Sequence, residues 1–309
     1  MLAIPQHQQE WIDLAFTTHD GLRLVGRHYR AVQKSTRRKT AKNSVKTPNP
    51  LLCLSTLTGN SGEFHALACY LSIHSDQPRD VYCLDYRGRG GSQHDWTSVN
   101  YTSEVELRDI IDFLVAFDLP HFDVLGSSRG AINAMLLAGA RPGAVGRIIL
   151  NDLGPAQEPA GVARIVGFLA NMPHPGNWSE AADLMRSMYK VSFTNLAEDD
   201  WQALATRYFK EQDGRLVMAY DAKLALTGRY LNLRKPPPEM WGQYLALLKH
   251  PLLIIRGEHS DMLSRKTVEQ MLTLHLRSKA VTVPGQGHTP LLRDMASLQT
   301  IGAFLMEND

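Results

Sequence analysis

A serine stands at the centre of a short glycine-flanked motif. Residues 126–130, Gly-Ser-Ser-Arg-Gly, fit the pattern G-x-S-x-G, directly after an apolar run and directly before a helix-forming run. A turn from strand to helix at this motif is so tight that only very small side chains fit beside the serine. We therefore predict that Ser128 is a nucleophile for acyl transfer, with NH groups at the start of the helix available to an oxyanion. The alternative interpretation is an ordinary strand-to-helix turn.

A nucleophilic serine needs a general base, and one histidine near the carboxyl end is suitably placed. His288 lies in the glycine-rich loop 285–290, Gly-Gln-Gly-His-Thr-Pro, after an apolar run at 281–284 and before the last helical pattern. Of the twelve histidines, His288 combines the required chain order, preceding strand and loop. We predict that His288 removes the proton from Ser128.

The base in turn needs an acid that orients it, and the expected chain order is serine, acid, histidine. The apolar run 252–257 ends in glycine, and Asp261 follows in the loop at its carboxyl end. Asp261 is the predicted acid. Glu258 is nearer to the strand, and Asp152, which follows the preceding strand, is an alternative position.

Short apolar runs that alternate with helical patterns must position these residues. Two alternating runs around His-Asp-Gly at 19–21 predict an antiparallel hairpin over residues 11–29. Helical periodicity is found at 107–115, 131–140 and 291–305. The predicted parallel strands are 51–54, 81–84, 123–125, 147–150, 252–255 and 280–283. This alternation predicts a parallel sheet covered by helices on both faces.

The alternation of predicted strands and helices is interrupted by a segment of about a hundred residues. Within them, apolar residues fall at helical spacing around 181–188 and 201–208, and aromatic and methionine side chains are frequent. We predict a core formed by residues 1–152 and 251–309, with a helical cap, or lid, at 153–250. Most of its aromatic residues are expected to pack the lid helices, so no lid residue is assigned to substrate binding.

Two further motifs carry a resemblance to a known family. Residues 84–92, Leu-Asp-Tyr-Arg-Gly-Arg-Gly-Gly-Ser, are similar to the D-x-R-G-x-G-x-S turn of the α/β-hydrolase superfamily, and 150–155 resemble the segment leading into the lid of one bacterial subgroup. Together with the serine and histidine motifs, they make the chain from residue 51 onward resemble lidded bacterial esterases and lactonases. The resemblance implies the α/β-hydrolase fold. Arg87 and Arg89 are expected to fix a loop rather than to bind substrate.

The same resemblance implies an oxyanion hole formed by the main-chain NH groups of Leu57 and Arg129. One part of the motif differs, because Ser55 and Thr56 occupy positions where the family usually has His-Gly. The guanidinium of Arg129 has two interpretations, an anchor for a substrate carboxylate or a salt bridge to a neighbouring acid, and we favour the salt bridge.

The predicted function is hydrolysis of a small carboxylic ester or lactone through an acyl-enzyme, without metal or organic cofactor. Cleavage of a carbon–carbon bond in a dioxo acid would use the same residues, with Arg129 as a carboxylate anchor. A third hypothesis, suggested by the altered Ser55-Thr56 loop, is a non-catalytic ligand receptor on the same fold. A serine in place of an aspartate nucleophile argues against dehalogenase or epoxide-hydrolase chemistry.

Composition sets the remaining expectations. The 309 residues carry 33 Lys and Arg against 31 Asp and Glu, so the net charge of +2 favours no acidic partner, and a basic stretch at 32–49 is interpreted as a solvated loop. Three cysteines, Cys53, Cys69 and Cys83, are expected to be reduced core residues. No membrane span or secretion signal is recognised, so we expect a cytoplasmic enzyme acting on a small acyl compound, without nucleic-acid or membrane partners. The oligomeric state is left open, a homodimer included.

Overall fold

A computed structural model describes residues 11–32, 47–228 and 235–307 of the chain. Most of the basic loop predicted at 32–49 lies outside these residues, and its interpretation stays a prediction. The described strands are β1 Ile12–Thr17, β2 Arg23–Tyr29, β3 Leu51–Leu54, β4 Val81–Asp85, β5 Phe122–Ser127, β6 Val145–Asn151, β7 Phe209–Gln212, β8 Arg215–Met218, β9 Leu252–Gly257 and β10 Ser278–Val283.

The described α-helices are α1 His65–Cys69, α2 Ser103–Ala116, α3 Arg129–Ala140, α4 Pro159–Ala170, α5 Trp178–Tyr189, α6 Glu198–Ala205, α7 Leu224–Thr227, α8 Trp241–Leu245, α9 Arg265–Leu274 and α10 Met295–Met306. Within the described ranges, no helix is both long and apolar enough to span a membrane.

Eight strands form one sheet in the order β1-β2-β4-β3-β5-β6-β9-β10. The pairs β1/β2 and β2/β4 are antiparallel, and every later pair is parallel. The predicted hairpin and the six predicted parallel strands are therefore confirmed. Because the carboxyl ends of the parallel strands meet at one edge, the loops after β3, β5, β6, β9 and β10 converge there.

Alternate residues of each strand contribute to two separate apolar cores. Leu52 and Leu54 of β3 pack in a core that includes residues of α2, α3 and α9. Leu51 and Cys53 of the same strand pack in a second core with residues of α1 and α10. Since side chains alternate across a strand, the sheet is covered on both faces, as predicted. Cys53, Cys69 and Cys83 are buried thiols that form no disulfide, which confirms their expected state.

The segment between β6 and β9 forms an inserted layer with an apolar core of its own, built from α5, α6 and β7. Helices α5 and α6 confirm the helical pattern, but the segment also contains the β7-β8 hairpin, which was not predicted. The sequence signal for this hairpin is the dipeptide Asp213-Gly214, which is typical of a tight turn. Its φ angles are 51° at Asp213 and 72° at Gly214. We call residues 153–250 the inserted segment.

The carboxyl-terminal helix is shorter than predicted. It begins at Met295 rather than at 291, because the Asp294 side chain accepts a hydrogen bond from the Ser297 amide and caps the helix there. The loop that carries His288 is correspondingly longer.

Candidate active site

The serine motif forms the turn between β5 and α3. Ser128 has φ 50° and ψ −110°, a conformation that a non-glycine residue rarely adopts. A Cβ atom at Gly126 would collide with the carbonyl of Gly130, and a Cβ at Gly130 would collide with the carbonyl of Leu54 in β3. The two glycines of the motif are thus required by close backbone packing, as the sequence predicts.

Ser128 and His288 meet at the carboxyl edge of the sheet. The Ser128 hydroxyl lies 2.8 Å from His288 Nε2, within hydrogen-bond distance. Both side chains are almost fully buried. The structure therefore brings together the predicted nucleophile and the predicted base, in the geometry that proton transfer between them needs.

The carboxylate that contacts His288 belongs to Asp152, not to Asp261. Asp152 Oδ2 lies 2.9 Å from His288 Nδ1, and its other oxygen accepts a 2.7 Å hydrogen bond from the Gly257 amide. Asp152 is fully buried at the end of β6, in a left-handed conformation with φ 58°. The prediction that Asp261 orients the histidine is therefore wrong for this structure, and the alternative position holds the acid.

Asp261 is held elsewhere by a cation that the sequence did not associate with it. Its two oxygens accept hydrogen bonds of 2.5 and 2.8 Å from Arg164 of α4 in the inserted segment. Burial raises the pKa of Asp261, but the hydrogen bonds and charge of Arg164 outweigh it, so this pKa lies below the ordinary value of 3.8. The carboxylate is directed to the inserted segment because this bidentate partner lies there.

The loop after β3 is fixed in place by charged groups on two sides. Glu63 accepts hydrogen bonds from the amide and the hydroxyl of Thr56, at 3.2 and 3.0 Å. Arg89 Nε donates a 2.9 Å hydrogen bond to the Leu57 carbonyl. Side-chain contacts thus hold the loop that replaces the usual His-Gly, and Leu57 borders Ser128.

Arg129 begins α3, so its main-chain NH belongs to the first helical turn, where NH groups lack an intrahelical acceptor. Its side chain forms a 2.9 Å salt bridge to buried Glu106. Arg89 and Asn133 also bind this carboxylate. Burial raises the pKa of Glu106, but the charges of Arg129 and Arg89 lower it below its ordinary value, so the carboxylate is ionised. The favoured interpretation of Arg129, a salt bridge, is confirmed.

Arg87 fixes the neighbouring loop. It donates to Asp109 at 2.7 and 2.6 Å, to Asp95 at 2.6 Å and to Asp20 of the β1-β2 turn. Its side chain is fully buried among these carboxylates. The predicted loop-fixing role of Arg87 is confirmed, and the Arg89 contacts just described confirm the same role for that residue.

Two cavities meet at Ser128. The first, about 40 Å³, is lined by His288 and Thr289 and by residues of the inserted segment that include Arg164, Arg207 and Tyr208. The second, about 210 Å³, is mostly apolar; it is lined by Arg129, Leu153, Ile165 and Met262 among others, and also by Leu57, which borders both cavities. The site thus has a small cavity with two cations and a larger apolar one. Arg164, within α4, and Arg207, just after α6, could not be predicted as lining residues, because no local motif marks either of them and both lie far along the chain from Ser128.

Comparison with known proteins supports this architecture. The model of the alpha/beta hydrolase family matches residues 51–298. A 3-hydroxybutyrate-oligomer hydrolase of Cupriavidus necator is 27% identical over 269 residues, which cover 83% of this chain and 88% of that protein. A 2-(acetamidomethylene)succinate hydrolase of Mesorhizobium japonicum is 26% identical over 75% of this chain and 78% of that protein.

A solved structure gives the same result at the level of the fold. The crystal structure of an alpha/beta hydrolase from Novosphingobium aromaticivorans superimposes with a TM-score of 0.85 at 31% identity, covering 96% of this chain and 99% of that one. The family match spans the serine turn, the loop of Asp152 and the loop of His288. The chain is a hydrolase-fold protein that belongs to the alpha/beta hydrolase family.

Proposed function

We propose that this protein is a serine hydrolase that cleaves a small carboxylic ester or lactone through an acyl-enzyme. The observation that carries the proposal is the hydrogen-bonded chain from Ser128 through His288 to Asp152, at 2.8 and 2.9 Å. A buried carboxylate on Nδ1 holds the imidazole with Nε2 facing the serine, the arrangement that activates a hydroxyl. Asp152 takes the role that the sequence had assigned to Asp261.

Acylation follows from this geometry. His288 Nε2 takes the hydroxyl proton as Ser128 Oγ attacks the acyl carbonyl, and Asp152 stabilises the imidazolium. The main-chain NH groups of Leu57 and Arg129 hold the oxyanion. The bond between the acyl carbon and the leaving oxygen then breaks, and His288 returns its proton to that oxygen.

Deacylation repeats these steps with water. His288 takes a proton from water as the water oxygen attacks the acyl carbon, and the proton then passes to Ser128 Oγ as the acid leaves. The sum is one ester and one water giving one acid and one alcohol. No redox step occurs.

One relative supports ester chemistry in particular. Hydroxy acids form oligomers through ester bonds, and a relative that matches over most of both chains is named as a hydrolase of 3-hydroxybutyrate oligomers. Cleavage of a carbon–carbon bond in a dioxo acid would use Arg129 as the anchor for a substrate carboxylate. The Arg129 guanidinium is instead bound to Glu106, so this observation favours ester hydrolysis. A receptor without catalytic activity would not need the aligned serine, histidine and aspartate.

The experiment that tests the proposal is labelling with a fluorophosphonate probe, comparing the wild-type protein with Ser128→Ala, alongside turnover of short-chain aryl esters and simple lactones. We expect labelling and turnover in the wild type and neither in the folded variant. Turnover retained by Ser128→Ala would refute the scheme, and an unlabelled but folded wild type would favour the receptor.

A further inference from the structure

The two cavities at Ser128 differ in their position relative to His288, which lines only the smaller one. The leaving oxygen must reach His288 Nε2 to be protonated, so the half that carries it lies in a cavity bordered by this histidine. His288 lines the small cavity of about 40 Å³ together with Thr289. The larger cavity of about 210 Å³ borders Ser128 and Arg129, and it is mostly apolar. The alcohol half therefore occupies the small cavity, and the acyl half extends into the apolar one.

A buried guanidinium lies in the cavity assigned to the alcohol half. The side chain of Arg207 is 6% exposed, and its Nη1 donates a 3.1 Å hydrogen bond to Thr289 Oγ1, next to the catalytic histidine. A guanidinium has five NH donors, and within the described ranges this is its one side-chain hydrogen bond. Arg207 thus has donors left for a ligand.

Two arginines, Arg164 and Arg207, line the small cavity, and Arg207 is the one whose NH donors are not held by a carboxylate. Arg164 lines the same cavity, but Asp261 holds it in a bidentate pair. The nearest carboxylate to Arg207 is buried Glu63, whose Oε1 lies 3.7 Å away, beyond hydrogen-bond distance, and has no hydrogen-bond partner. Glu63 compensates the charge of Arg207 in part without occupying its donors.

We propose that Arg207 binds a carboxylate on the leaving half of the substrate, so that the alcohol released is a small hydroxy acid. This inference rests on the proposed ester hydrolysis. A guanidinium recognises a carboxylate with two parallel hydrogen bonds. This cavity, about 40 Å³, is about one fifth as large as the apolar cavity of about 210 Å³, so it favours one short acid over a longer chain. An oligoester of hydroxy acids would consequently be shortened from its carboxylate end, one unit per turnover.

The test compares two substrates that each contain one ester bond. One is the linear dimer of 3-hydroxybutyrate with its carboxylate free, and the other is the same dimer with that carboxylate converted to an N-methylamide. For Arg207→Gln we expect kcat/KM on the free acid to fall about 10- to 100-fold, the usual effect of losing a hydrogen-bonded charge pair, and kcat/KM on the amide to change less than about 3-fold. Arg207→Lys should retain part of the preference, because it keeps the charge but not the paired donors.

Arg186→Gln is the matched control, since this arginine also lies in the inserted segment but pairs with Asp183 and Glu198 at the surface. It should leave both substrates unaffected. An equal loss on both substrates in Arg207→Gln, or no loss on the acid, would overturn the proposal. If Arg207→Gln does not fold, the same comparison with Arg207→Lys decides.

A second measurement needs no turnover and so separates this inference from the proposed function. Calorimetric titration of Ser128→Ala with 3-hydroxybutyrate should show binding that weakens at least about 10-fold in Ser128→Ala/Arg207→Gln. The N-methylamide of 3-hydroxybutyrate should bind both proteins equally weakly. Absent binding of the acid, or equal binding of the acid to both proteins, would refute the role of Arg207 whether or not the wild type hydrolyses esters.

Discussion

Asp152 and Asp261 follow two neighbouring parallel strands, β6 and β9, yet their surroundings differ. Asp152 is fully buried against His288 and the Gly257 amide. The Asp261 side chain is about one third exposed and binds the guanidinium of Arg164. At the residue scale, the partners of each carboxylate and not its place in the chain indicate which one orients the base.

This difference predicts opposite effects of two matched substitutions. Asp152→Asn should lower kcat on an aryl ester by about 10³- to 10⁴-fold, because the amide favours the wrong imidazole tautomer. Asp261→Asn should lower kcat less than about 10-fold. Steady-state kinetics on the two variants checks the assignment, and a larger loss at Asp261 would reverse it.

The serine turn provides a second test at the residue scale. Gly130→Ala should destabilise the fold by about 1–3 kcal/mol and lower the rate of fluorophosphonate labelling, because the new methyl group would collide with the Leu54 carbonyl. Gly143→Ala is the control, since a Cβ there has no neighbour within 4 Å. Urea unfolding and labelling rates measure both effects. Equal stability of the two variants would show that the turn can widen.

At the scale of elements, the Arg164–Asp261 pair connects α4 of the inserted segment to the loop after β9. The folded pKa of Asp261 is below its ordinary value of 3.8, so the pair stabilises the fold above about pH 3.8. This stabilisation is lost as the pH falls through the lower folded pKa. Because both side chains are about one third exposed, solvent screening limits the contribution to about 1 kcal/mol.

Asp261→Asn should therefore lower the free energy of unfolding by about 1 kcal/mol at pH 7, and the difference from wild type should shrink at pH 3 and below. Denaturant unfolding at a series of pH values measures it. Arg186→Gln, which removes surface pairs within the inserted segment, should cost less. A difference that grows toward acid pH would contradict the sign of the pKa shift.

At the scale of the complete molecule, a buried ion pair lies at the edge of the sheet opposite the candidate active site. Arg79, just before β4, binds Asp123 of β5 at 2.8 Å and the Leu305 carbonyl of α10 at 2.9 Å. The side chains of this pair are 2% and 4% exposed. A single guanidinium thus joins the central sheet to the last helix.

Arg79→Met should lower the free energy of unfolding by about 3–5 kcal/mol, because it removes the guanidinium that is hydrogen-bonded to the buried Asp123 carboxylate. At low temperature the folded variant should label at Ser128 like the wild type, since the active site is at the other edge. Lys279→Gln removes the exposed pair with Glu307 and should cost less than about 1 kcal/mol. Similar losses in the two variants would mean that the buried pair contributes little.

The sheet, its helical covering, the serine turn and the histidine that meets the serine are all predictable from the amino-acid sequence. These features follow from local patterns: apolar runs with a period of two or 3.6 residues, and glycines where the backbone passes too closely for a side chain. Ser128 and His288 could be identified because each has a distinctive loop directly after a strand. The Asp213-Gly214 dipeptide is also a local signal, typical of the tight turn between β7 and β8.

The choice between Asp152 and Asp261, and the positions of Arg164 and Arg207 in the cavity at Ser128, depend on tertiary packing. Both acids follow parallel strands at the same edge, so chain order admits either. The choice depends on the position of α4, whose Arg164 occupies one carboxylate, and on the loop of His288, which reaches the other. These contacts join residues roughly 100 positions or more apart, and no local pattern encodes such a distance.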